Sequence, residues 1–192
     1  MAAGSVVKWV DTAPSERVRR VAQRSLPVGH TIRKVVFQEG DTWVALTTDV
    51  LSPGAIHDWA VRQDCGAIAL FSGTVRDHAD HRTGVSELEY EAYVEEVEPR
   101  LLRIAEAARN NWPDLGRIAL LHRIGVLGLG DVSVVVAVSS PHRPEAFEAA
   151  RFGIDTLKAT IPIWKRETWE GGEDWGLASQ DIIDVPQPRL EA

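Results

Sequence analysis

The chain has 192 residues, 44% of them hydrophobic, enough to bury one sizeable core. Its formal net charge of −7 argues against general nucleic-acid binding, which relies on a broad basic surface to displace counterions from phosphates. Apolar runs such as 132–138 fall far short of the roughly 18 residues a membrane-spanning helix needs, and the single cysteine, Cys65, excludes an internal disulfide and a cysteine-built zinc site.

Residues 1–33 hold one short helical stretch, Ser15 to Arg24, among Pro14, Pro27 and Gly29, and read as an N-terminal extension. They show no charged leader followed by a long apolar core, so no secretion signal is expected and the reducing cytoplasm is the expected compartment. The main domain is expected over 34–177, with a C-terminal tail over 178–192. Val35 to Gln38 and Thr42 to Thr48 read as two strands around a hairpin turn at Glu39-Gly40-Asp41. Ser52-Pro53 then opens a helix, since a serine N-cap satisfies one free amide and proline at the first position removes another; this helix should end near Gln63.

Gly66 to Arg76 reads as a buried strand running into a turn at Ser72-Gly73, with Gly73 allowing a ligand to approach the backbone. Asp77 to Gly84 is a polar loop, and Glu87 to Tyr93 alternates as a half-buried strand with Leu88, Tyr90 and Ala92 on one face. Val97, Leu101, Ile104, Ala105 and Ala108 mark an amphipathic helix ending near Asn110-Asn111. Strands follow at Arg117 to Arg123 and Val132 to Ser139, separated by a glycine-spaced hairpin turn at Gly125, Gly128 and Gly130. That glycine run precedes a strand, so it lacks the amide-rich helix start that holds a pyrophosphate. Pro144 to Lys158 is a final helix. The expected class is α+β with a mostly antiparallel sheet.

Two lysines flank a proline break in Asp155 to Glu167. Pro162 should turn the chain so that Lys158, closing the helix, and Lys165, opening the next segment, converge beside Ile161, Ile163 and Trp164. A converged pair of cations suits an anionic substrate, and crowding can make one of them a usable acid, base or nucleophile. His142 and Arg143 stand at the start of the same helix, where free amides and the dipole favour an anion, and Arg76 emerges at a strand end. Over a continuous helix, Arg143 and Lys158 are separated by roughly 22 Å at 1.5 Å per residue. Either the two ends serve different parts of a larger site, or a second copy supplies the missing end across a symmetric interface; a homodimer is the expectation. Asp77, His78, Asp80 and His81 read as a solvated loop, with no metal site expected. Glu89 and Glu91 share a strand face as a carboxylate pair, and solvent exposure is the expected state.

With Phe71-Ser72-Gly73-Thr74-Val75-Arg76, Leu88 to Tyr93, His122-Arg123-Ile124-Gly125, Ser140-Pro141-His142-Arg143, Ala146 to Ala149 and Asp155 to Glu167 in order, the chain resembles the large, catalytic subunits of molybdopterin synthase over about residues 42–177. The resemblance implies an α/β hammerhead-type fold, a homodimer, and a heterotetramer with two small ubiquitin-like sulfur carriers whose C-terminal Gly-Gly thiocarboxylate enters the site. It implies transfer of two sulfurs to cyclic pyranopterin monophosphate to build the dithiolene of molybdopterin, with no resident cofactor. By motif match Lys158 is the catalytic residue and Lys165 its companion, while Thr74, Val75, Arg76, His142, Arg143, Arg166 and Glu167 line the substrate site. Asp131 stands where the family often has glutamate, Thr74 where lysine can occur and Ile154 where methionine is frequent, so no charged residue of the site is lost. Two other readings stay open on the residues alone: an enzyme acting on a different phosphorylated metabolite, and a non-enzymatic binding module.

Overall fold

The structure, a computed structural model, describes residues 35–79, 82–175 and 183–185, all within the compact unit Ile32–Ala192. The helix expected over Ser15 to Arg24 lies outside the described residues. Eleven strands and three helices follow in the order β1 (Val35–Glu39), β2 (Thr42–Thr47), α1 (Pro53–Ala60), β3 (Ala67–Thr74), β4 (His78–Ala79), β5 (Arg82–Thr83), β6 (Val85–Ala92), α2 (Val94–Asn111), β7 (Ile118–Arg123), β8 (Gly125–Gly128), β9 (Val132–Ser140), α3 (Arg143–Thr160), β10 (Ile163–Trp169) and β11 (Gly172–Trp175). The expected α+β class holds. One sheet has the order β1-β2-β7-β9-β3 and a second the order β11-β10-β6-β8, with β4 and β5 forming a small ribbon. Among the described residues only the β2–β7 pair is parallel, and the other pairings are antiparallel.

Successive strand residues point to opposite sides, and the central strands β2, β7 and β9 are buried on both faces. Val44, Leu46, Leu120, Val134, Val136 and Val138 meet α2 and α3 through Leu101, Ile104 and Leu157. Their neighbours Ala45, Ala119, Leu121, Val135 and Ala137 face Ile56 and Ala60 of α1. As the sequence predicts, Ser52 caps α1, its hydroxyl accepting from the Ala55 amide at 3.3 Å. That helix stops at Ala60, three residues short of the expected end.

Three expectations are corrected. Ser72-Gly73 is not a turn: β3 runs through it to a bulge between Gly73 and Thr74. A Cβ on Gly73 would stand 2.7 Å from Val134 Cγ1, so this glycine serves close packing of β3 on β9 instead of ligand approach. Gly125 to Gly128 is itself strand β8, paired with β6, and only the following residues turn. The Asp77 to Gly84 loop carries the β4–β5 ribbon, which the short polar sequence does not announce. Beyond α3, the segment 183–185 returns to the core, with Val185 buried, Ile183 donating its amide to the Ala159 carbonyl and Arg100 reaching the Ile183 carbonyl.

Candidate active site

Helix α3 sets the two ends of the candidate site. His142 occupies its N-cap position in an extended backbone conformation, and its side chain makes no capping bond, so the ring is not committed to the helix. An open depression of about 440 Å³ lies here, lined by Gly66, Ala67, Pro141, His142, Arg143 and Pro144. Its floor is tight: a Cβ on Gly66 would come within 2.9 Å of the Pro141 carbonyl oxygen. The free amides of a helix start and the exposed Arg143 guanidinium suit an anion at this end.

At the other end, Ile161 closes the helix, its amide donating to the Leu157 carbonyl, and Pro162 prevents continuation. The Tyr93 amide holds the Pro162 carbonyl at 3.1 Å, and β10 starts one residue later against Ala92. Lys158 is therefore exposed on the last helical turn, and Lys165 sits two residues into β10. Each lysine is linked to one group of β7, the ring of His122. The Lys158 charge reaches this buried ring, which packs edge-on to Tyr90 with centroids 5.1 Å apart. Tyr90 is the direct cross-strand partner of Lys165, so both side chains project from the same face of the second sheet. Burial, with the Lys158 charge adding to it, pushes the His122 pKa down to about 4.

Lys165 Nζ lies 2.8 Å from Glu167 Oε1, and the Glu167 side chain is only 5% exposed. A buried carboxylate needs a compensating charge. Lys165→Ala is expected to lower stability by roughly 1–3 kcal/mol, read as a shifted urea midpoint, and Lys165→Ala with Glu167→Gln is expected to recover part of it. A Lys165→Ala midpoint equal to wild type would show that Glu167 does not rely on this ammonium.

Arg166 points to the opposite face. It is bound to Glu89, pairs with Glu173 at 2.9 Å and lies over the Trp175 ring. Glu89 is thus an ion-pair partner on this face, and partial burial together with Glu89 raises the Glu91 carboxyl. Thr74 and Arg76 are exposed and Val75 is buried. The Val75 backbone is held at both polar atoms, its amide donating to the Asp131 carbonyl at 3.0 Å and its carbonyl accepting from Gly130 at 2.9 Å. The Asp131 carboxylate in turn accepts from Arg123 at 3.3 Å and from the Gly128 amide at 3.1 Å, so Arg76 rises from a braced turn and donates through Nε to the His78 carbonyl. His78 itself contacts Asp77 at 2.8 Å. No metal-binding cluster occurs among the described residues, and Asp80 and His81 lie outside them.

The fold is α+β, with His142 and Arg143 at the start of α3 and Lys158 and Lys165 on either side of the break that ends it. Residues 46–160 match the family described as MoaE protein, and the chain belongs to that family. It is 45% identical over 131 residues to molybdopterin synthase catalytic subunit 1 of Aedes aegypti, covering 68% of this chain and 84% of that protein. It is 46% identical over 132 residues to the molybdopterin synthase catalytic subunit of Nostoc, covering 67% and 77%. Among solved structures it resembles molybdopterin synthase from Staphylococcus aureus, with a TM-score of 0.63 at 34% identity over 68% of this chain and 93% of that one. A chain from the complex of subunits 1 and 2 of molybdopterin-converting factor of Helicobacter pylori shares the fold, with a TM-score of 0.56 at 20% identity over 71% and 92%.

Proposed function

We propose that this chain is the catalytic subunit of a molybdopterin synthase, a sulfurtransferase of molybdenum cofactor biosynthesis. The reading is supported by the link of Lys158, through its charge, and of Lys165, through its cross-strand partner Tyr90, to the buried His122 ring, in a chain of the MoaE family. The sulfur donor is a small ubiquitin-like partner whose C-terminal Gly-Gly thiocarboxylate enters beside the lysines and leaves as a carboxylate. The acceptor is cyclic pyranopterin monophosphate. Arg76, His142 and Arg143 hold its phosphate, with Thr74 and Val75 shaping the adjoining wall. Lys158 acts on the carrier acyl group or moves the proton, and Lys165, oriented by Glu167, stabilises developing negative charge. Arg166 supports the site from behind through Glu89. The free thiol of Cys65 has no part in this chemistry, because sulfur arrives on the partner. No helix of the described residues is long and apolar enough to cross a membrane, and the cytoplasm is the compartment this chemistry suits.

Product is expected when this protein is mixed with a thiocarboxylated carrier and cyclic pyranopterin monophosphate, followed as the oxidised fluorescent derivative of molybdopterin. No product from a folded protein and a competent carrier would favour an enzyme of another phosphorylated metabolite.

The functional unit is a homodimer. Arg143 and Lys158 lie at opposite ends of α3, roughly 22 Å apart, too far to share one small ligand. Strand β3 is the edge of its sheet, eight residues without a charge, and such an edge invites pairing. Antiparallel pairing of β3 with its copy about a two-fold axis sets two α3 helices side by side in opposite directions. The second copy's helix start then meets this copy's Lys158, and the exposed Phe147 and Phe71 become covered. Mixing Lys158→Ala and Arg143→Ala proteins, each inactive alone, is expected to restore activity, since one site of every mixed dimer is intact. A mixture as inactive as its components would place both residues in a site within one copy.

A further inference from the structure

His122 stands in the wholly buried run 118–122 of β7, between Leu46 of β2 and Val134 of β9. An imidazole in such a setting is costly to charge. Its Nδ1 lies 2.8 Å from the Arg123 carbonyl oxygen. A carbonyl oxygen only accepts, so Nδ1 carries the hydrogen and the neutral ring leaves Nε2 as a bare lone pair. Burial, the Arg123 contact and the Lys158 charge together leave the ring with a pKa of about 4. The groups around it are Lys158 from α3, Tyr90 from β6 with Lys165 and Glu167 of β10 beyond it, and Arg123 through its carbonyl.

On the synthase reading above, we propose that His122 is a positioning residue for the lysine pair: an uncharged imidazole, locked in its Nδ1–H form, that braces Tyr90 behind Lys165 and keeps a third cation out of the place where Lys158 works. An apolar residue at this point would fill the core as well. The histidine differs in giving the ring a fixed orientation through the Arg123 carbonyl, and hence a fixed face to Tyr90. A displacement of that face passes to Lys165 through the cross-strand pair, and small displacements of reacting groups carry large rate costs.

Two measurements test this. In His122→Asn the carboxamide can still donate to the Arg123 carbonyl but the ring is lost; kcat for molybdopterin formation is expected to fall at least about tenfold at unchanged KM for the carrier. Wild-type kcat in the folded variant would overturn the proposal. Independently of turnover, nitrogen-15 spectra of the wild-type imidazole are expected to show a protonated Nδ1 and a bare Nε2 from about pH 8 to about pH 5, with resonances that move in Lys158→Met. A ring that titrates near pH 6.5, or one indifferent to Lys158→Met, would overturn it even if the Asn variant fails to fold. Absence of turnover in the wild type would count against the synthase reading alone, and the spectra would still decide the role of His122.

Discussion

Lys158→Ala is expected to reduce molybdopterin formation by about 10²–10⁴-fold, the usual contribution of a positioned proton-transfer group, while leaving the fold unchanged. The contrast follows from where the residue sits. Its side chain is exposed on the last turn of α3, so the alanine variant is expected to lose little packing, and the favourable placement of a cation at a helix C-terminus contributes about 0.3–1 kcal/mol. Thermal unfolding should therefore shift little when turnover is almost gone. Lys158→Arg separates charge from chemistry, because a guanidinium keeps the positive charge but does not exchange its proton near neutral pH. If Lys158 only attracted the anionic substrate, the arginine variant would retain most of the rate. Equal loss in both variants assigns it to acyl or proton chemistry, and full activity of Lys158→Ala in a reconstituted assay would remove it from the site altogether.

The sequence carried the outer frame of this arrangement because the frame is built from short-range signals. The Ser52-Pro53 cap, the alternation about Tyr90 and the apolar stripe from Ala146 to Leu157 each specify an element through its own residues, and each element is present. Pro162 ending α3 between two lysines was legible for the same reason. The missed elements are those that need a partner to exist. Strand β8 has two glycines and only four residues, and it becomes a strand only because β6 lies alongside. Gly73 reads in the sequence as an approach point for ligand, whereas the obstruction is Val134, on a distant strand of the chain. Arg166 and Lys165 are adjacent in sequence yet serve opposite faces of β10, a consequence of strand pleating that becomes visible only once the segment is known to be a strand. His122 belonged to a motif but had no assigned role; the available signal was a lone histidine at the end of the apolar run Ile118 to Leu121, the pattern of a titratable group taken into the core.

That buried histidine gives the second large effect: the protein is expected to lose about 3 kcal/mol of stability as pH falls from about 6.5 to about 4. The His122 pKa is about 4 in the folded chain against a usual 6.5, so in this window the unfolded chain binds a proton that the folded chain does not. Its contribution is fully present above pH 6.5 and declines as the pH drops toward 4, with a slope of at most about 1.4 kcal/mol per pH unit. Asp64 and Asp77, whose carboxyls are lowered by Arg62 and His78, act only below the usual carboxylate range and so fall in a separate, more acidic window. Glu91, raised by burial, works in the opposite sense, because its folded form holds a proton more readily. The measurement is the urea midpoint of wild type and His122→Phe at closely spaced pH values. The phenylalanine variant keeps a ring against Tyr90 but nothing to titrate, and whatever its stability at neutral pH, its midpoint should be flatter between pH 6.5 and 4. Parallel curves for the two proteins would mean that His122 accepts its proton in the fold as easily as in the unfolded chain, and that the core around β7 opens to water before acid reaches the carboxylates.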